Sequence, residues 1–165
     1  MIRAQYQKKT SVYTIRLTQH NVGDTKSILF KFDTGAVSTI IGIRTLFDTI
    51  TEEQIIEFRK YFSEAQVKEQ RFSVATGHKL HGYPCAFSDI MLSGEQIDWF
   101  PFYLIMDTDR KVALIGNDFI THCAFDHKPD DDIIIHGYQK DRLRESFLEN
   151  NLNTFELNQI DIGIV

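Results

Sequence analysis

Cysteine is nearly missing. Cys85 and Cys123 are the two cysteines in 165 residues, and they lack any Cys-x-x-Cys spacing. That is too few for a disulfide framework, so they read as free thiols behaving as small buried hydrophobes. No stretch approaches the roughly 18 consecutive apolar residues that a membrane span needs, and Met1 to Gln7 has no apolar signal core. A membrane partner is therefore not expected, and the expected location is cytoplasmic. A basic cluster is missing too. The formal net charge is -5, and neutralising phosphates takes clustered Lys and Arg, so nucleic acid is not the expected partner. Lys140, Arg142 and Arg144 are interrupted by Asp141 and Glu145, the pattern of a solvated helix face. There is no internal repeat, low-complexity tract or linker. What remains, 42% apolar and 25% charged, is the composition of one ordinary soluble domain, residues 1–165, large enough to bury a core unaided.

Along the chain, β-branched and aromatic runs from Ser11 to Leu17 and from Ser27 to Phe32 flank Asn21, Gly23 and Asp24, which predicts a hairpin. Val37 to Ile43 is a further β-prone run. Thr51 and Gln54 are spaced as a capping box, and Ile55, Phe58 and Phe62 follow at helical intervals, predicting a helix of about three turns. Arg71 to Val74 and Lys79 to Phe87 flank Ala75-Thr76-Gly77-His78, a second hairpin with Gly77 near its tip. Ile90 to Leu92, a turn at Ser93-Gly94, Trp99 to Met106, Val112 to Ile115 and Ile133 to Ile135 continue the strand series. Gln139 to Glu149 is a second helix, because Leu143, Phe147 and Leu148 share one face. Ile160, Ile162 and Ile164 alternate as a terminal strand would. The expected fold is mainly β: a small barrel or sandwich carrying two helical insertions.

Two segments carry chemistry. One is Leu29 to Ile40, in which Phe32-Asp33-Thr34-Gly35-Ala36 follows an apolar strand. The other is Ala113-Leu114-Ile115-Gly116-Asn117-Asp118-Phe119-Ile120. Together they resemble the retropepsin-like aspartic peptidases, in which Asp-Thr-Gly-Ala opens the site and a later apolar-apolar-Gly run packs behind it. The flanking strands and the paired anchor make the match specific, and it covers roughly residues 10–137, followed by a C-terminal helix and strand over 138–165. The resemblance implies a small closed acid-protease β-barrel with one inserted helix and a C-terminal helix. In viral members an Asp two places after the Gly pairs with an Arg after the later Gly. Here Val37 and Asn117 hold those places, so the ion pair is absent as a unit and the pattern is closer to cellular or bacterial relatives.

Peptide hydrolysis without a covalent intermediate needs one group to take a proton from water while another supports the carbonyl oxygen. A carboxyl pair sharing one proton does both. Asp33 alone is half of such a pair. The nearest thing to a second copy, Asp107-Thr108-Asp109, has an acid where Gly is needed, so the second carboxylate is expected from an identical chain across a two-fold axis. The expected function is thus a homodimeric aspartic endopeptidase acting on a peptide or protein substrate. The resemblance further implies that Thr34 interlocks with its counterpart and that the Gly35 amide holds Asp33 in plane. Leu114, Ile115 and Gly116 would lie behind the site, and Ala36 with the Ala75, Thr76, Gly77 and His78 flap would contact substrate. The terminal isoleucines are expected at the dimer interface, where they would cover an open apolar edge.

No cofactor or metal is implied. His78 and His81 are three apart but have no further ligands in view, and Asp130-Asp131-Asp132 reads as a solvated turn after Pro129 rather than a calcium loop. Asp33 could instead be an ordinary Asx-turn residue, and the whole domain could be a peptide-binding or dimerisation module that does not turn over. Replacing Asp33 by Asn separates these readings, since a binding module keeps its affinity and an enzyme loses cleavage.

Overall fold

The computed structural model describes residues 1–21, 24–73, 77 and 79–157. In chain order its elements are β1 Ile2–Gln7, β2 Val12–Asn21, β3 Asp24–Phe32, β4 Ile40–Gly42, α1 Ile43–Leu46, α2 Glu52–Glu64, β5 Gln70–Ser73, β6 Lys79–Leu92, β7 Glu95–Ile105, β8 Ala113–Ile115, α3 Asn117–Ile120, β9 Cys123–Asp126, β10 Ile133–Tyr138, α4 Lys140–Asn150 and β11 Phe155–Glu156. The strands β6, β7, β4, β8, β3 and β2 are neighbours in that order, and β2 pairs back onto β6 through Leu17 with Leu92 and Thr18 with Met91. The ring is closed. Closure leaves no free edge around the ring, and β1, β10 and β9 continue outward from β2 as a side sheet. This is the mainly β closed barrel expected from the sequence, with α2 as the inserted helix and α4 as the C-terminal one.

Local sequence explains most of these elements. β2 and β3 register from Tyr13 with Phe32 to Asn21 with Asp24. Ile15, Leu17, Ile28, Phe30 and Phe32 point inward while Arg16, Leu29 and Lys31 point out, the alternation a half-buried pair requires. β6 and β7 turn through Ser93 (φ 51°) and Gly94 (φ 84°), both left-handed as a two-residue hairpin with strand-matched twist demands. At α2 the Thr51 hydroxyl accepts from the Gln54 amide and the Gln54 side chain accepts from the Thr51 amide, so the capping box is complete. The apolar face of α2, Ile55, Phe58 and Phe62, lies on the sheet, where Phe62 stacks on Tyr83 at 4.5 Å and meets Phe155 edge-on. Within the barrel Phe30 and Phe100 pack edge to face and Phe87 stacks on Phe102. Each buried ring contributes about 1.5–3 kcal/mol.

The structure departs from the sequence reading in several places. Only Ile40–Gly42 of the expected Val37 to Ile43 run is strand; the peptide from Ile43 turns into α1 once its apolar side chains can reach the core from a helix. Ile2–Gln7 and Cys123–Asp126, too short and mixed to stand out, are strands because β2 and β10 offer them open edges. α3 is a single turn that the sequence reading did not foresee. The basic face of α4 is not merely solvated: Arg144 lies 5.1 Å over the Trp99 ring and Lys140 reaches Asp98. Asp132 is likewise tied down, accepting from the Tyr6 amide at 2.7 Å and pairing with Arg3. Cys85 is fully buried and Cys123 partly so; burial pushes the Cys85 thiol up strongly and Cys123 up to about 12. The terminal strand expected around Ile160, Ile162 and Ile164 lies outside the described residues.

Candidate active site

β3 delivers Asp33 to the end of the barrel. Lys31 pairs with Leu114 and Phe32 with Ile115 in parallel register, and the Asp33 amide then donates to the Ile115 carbonyl at 2.9 Å. The chain leaves through a tight turn in which the Ala36 amide donates to the Asp33 carbonyl. Inside it the Gly35 amide donates to Asp33 Oδ1 at 2.9 Å. The carboxylate is thereby oriented by its own loop and remains accessible, with a side-chain exposure of 28%. Its other oxygen, Oδ2, lies 3.7 Å from Lys31 Nζ. Thr34 and Gly35 are exposed beside it, Ala36 is half-buried, and Val37 stands out at 78% exposure.

β8 fits between β3, to which it is parallel, and β4, to which it is antiparallel, so the loop from Asp33 to Thr39 must cross over the end of β8. Gly116 makes that crossing possible. A Cβ built there would stand 2.6 Å from both the carbon and oxygen of Ser38 and 2.9 Å from the Ala36 oxygen, all backbone. Its φ of -105° is open to any residue, so glycine is needed for space. Leu114 is half-buried and Ile115 fully buried on the same strand.

Three residues given no role by the sequence reading lock the two loops together. Thr39 is completely buried; its hydroxyl accepts from the Gly116 amide at 3.1 Å and donates to Asp118 Oδ1 at 2.6 Å, while its amide donates to both Asp118 oxygens. Asp118 also accepts from the Phe119 amide in the first turn of α3. Burial pushes the Asp118 carboxyl up, and the Thr39 hydroxyl and amide oppose that shift by bonding the charged form. Asn117 takes the third position. Its side-chain amide donates to the Thr34 carbonyl at 2.7 Å and its backbone amide to Ala36 at 2.8 Å. Asn117 thus clamps the loop without charge. A Thr two residues past Ala-Val and a carboxylate two residues past Gly116 were visible signals, since each is a short polar side chain beside backbone donors.

β5 and β6 pair as an antiparallel hairpin, Phe72 with Leu80 and Ser73 with Lys79. Glu69 anchors its base, 3.1 Å from Arg59 Nη1 on α2 and 2.7 Å from His81 Nδ1 on β6. Gly77 is exposed with φ +82° and open space around it; Ala75, Thr76 and His78 lie outside the described residues. Among the described residues no group of His, Cys, Asp and Glu could hold a metal ion, and no helix is long and apolar enough to cross a membrane.

No family model matches the chain, nor does any curated protein. Among solved structures the chain is similar to a retropepsin-like aspartic protease from Rickettsia conorii, with 16% sequence identity and a TM-score of 0.48. The match covers 81% of this chain and 88% of that one.

Proposed function

We propose that this chain is an aspartic endopeptidase that acts as a homodimer, with the Asp33 carboxylates of two copies activating water between them. The observation that carries the reading is the presentation of Asp33: a carboxylate fixed by the Gly35 amide at 2.9 Å, at the end of a barrel strand and still open to solvent. A structural Asx residue has no need of that exposure, nor of the clamps from Asn117, Thr39 and Asp118 that surround its loop. In the proposed dimer one Asp33 is protonated and one ionised; the ionised one takes a proton from water as the other donates a hydrogen bond to the scissile carbonyl. Carboxylates brought to contact titrate as a pair, so the protonation pattern is a property of the dimer. The exposed Thr34 side chain would interlock with its counterpart and hold the two halves in register, while the Gly35 amide keeps Asp33 in plane. An extended peptide would bind by main-chain hydrogen bonds under the β5–β6 hairpin.

A second reading, a peptide-binding module without turnover, is favoured by one contact: Lys31 gives Asp33 Oδ2 a partner within a single chain. The test is a peptide library incubated between about pH 4 and 7 with wild type and Asp33→Asn, with oligomeric state measured in the same samples. Cleavage confined to dimeric wild type supports the enzyme. Equal peptide binding by both proteins and cleavage by neither supports the module.

A further inference from the structure

Lys31 lies on the outward face of β3 and Asp33 follows directly after the strand's last residue, while Phe30 and Phe32, before and between them, are buried. The Lys31 ammonium is 3.7 Å from Asp33 Oδ2 and its side chain is 48% exposed. It is therefore an exposed cation standing at the edge of the Asp33 carboxylate. A peptide carbonyl held over Asp33 brings the side chains flanking its scissile bond within the sweep of a lysine arm.

The surroundings extend this charge. Lys31 lies across from Thr14 on β2 and two residues along from Leu29, and both of those line a groove of about 920 Å³ over the outer face of β1, β2 and β3. Its cationic lining residues are Arg3, Lys8, Lys9 and Arg16, and no carboxylate lines it. Arg3 is paired with Asp132 at 3.2 Å, and Arg16 Nη1 donates to Ser27 Oγ at 2.6 Å. On a chain of net charge -5, this gathers positive charge on the outer face of the strands beside Lys31. Complementarity selects an acidic strand for it.

We propose that Lys31 is a specificity-determining residue, selecting peptides with an acidic side chain next to the scissile bond, and that the basic groove accepts further acidic residues on the same flank. The proposal rests on the peptidase reading above. In the free protein Asp33 satisfies Lys31; in the complex the substrate's Asp or Glu takes its place, which leaves Asp33 for water.

The experiment is a peptide library digested by wild type, Lys31→Met and Lys31→Glu, with cleavage sites read by mass spectrometry. Asp33→Asn is titrated in parallel with fluorescent peptides that differ only in Glu, Gln or Lys at the flanking position. Wild type should enrich Asp and Glu beside the cut by on the order of fivefold to tenfold over their amides. Lys31→Met should lose that enrichment and Lys31→Glu should turn it toward Lys and Arg, a reversal that a merely structural role would not produce. Cleavage without acidic enrichment, or enrichment unchanged in Lys31→Glu, overturns the proposal while leaving the peptidase intact. Failure of wild type to cleave overturns the peptidase reading instead; tighter binding of the Glu peptide in the titration then still supports Lys31 as an acid selector, and equal binding of all three peptides overturns it.

Discussion

Alanine at position 116 is the perturbation whose consequence can be worked furthest. The added Cβ would meet two Ser38 backbone atoms at 2.6 Å, where ordinary contact begins at 3.4 Å. The 36–38 backbone therefore has to retreat by roughly 0.8 Å, since peptide atoms cannot rotate aside as a side chain can. Retreat stretches the bonds from the Asn117 amide to Ala36 and from the Asp118 amide to Val37, now 2.8 and 3.1 Å. Overpacking of this kind costs about 1–3 kcal/mol, which for a chain of this size lowers Tm by roughly 2 to 12 °C. The same shift is passed to Asp33 through its turn, and misplacing a reacting group by about 1 Å costs on the order of a hundredfold in rate. Gly137→Ala is the control, because nothing lies within 4 Å of a Cβ there. Calorimetry and peptide cleavage on the two variants decide the matter. Gly116→Ala with the melting point and activity of wild type would refute the packing argument.

Thr39→Val keeps the shape of a fully buried side chain but strips the Gly116 amide of its acceptor and Asp118 of a donor; urea unfolding should show a loss of about 2–3 kcal/mol, and Thr39→Ser should recover much of it. Asp118 gives a pH dependence. Burial raises its carboxyl in the folded state, so its contribution to stability is full below the usual carboxylate range and is lost as pH rises through the raised value. The urea midpoint of wild type relative to Asp118→Asn should accordingly fall as the pH rises above the usual carboxylate range, and a constant difference would contradict the assignment. Thr51→Ala removes the acceptor for the Gln54 amide at the start of α2 and should cost about 1 kcal/mol in the same assay, with any cleavage rate unchanged.

The barrel was legible because its signals are local: the β-branched and aromatic runs that become β2 and β3, the Ser93-Gly94 turn, and the Thr51 capping box each fix their element within a few residues. The parts that escaped depend on distant partners. β1 and β9 are strands because β2 and β10 leave edges for them, and Ile43 becomes helical because the core lies on that side. At the site, Asp33, Gly35 and Gly116 could be picked out because a motif names them. Thr39, Asn117 and Asp118 showed in the sequence only as short polar side chains beside backbone donors; their role arises where the loop from Asp33 crosses β8, nearly eighty residues away in sequence. Lys31 was hidden for another reason: a lysine on an outward strand face reads as a solvated charge until its ammonium is found beside the carboxylate.

The central claim, that each site takes one Asp33 from each of two chains, is tested most directly by mixing. A fixed amount of wild type is equilibrated with increasing Asp33→Asn, and cleavage of a responsive library peptide is followed. If two Asp33 carboxylates form one site, random pairing leaves about half the activity at equal amounts and about a tenth at ninefold excess. Activity that stays constant as Asp33→Asn is added would show that a single chain suffices and would contradict the account.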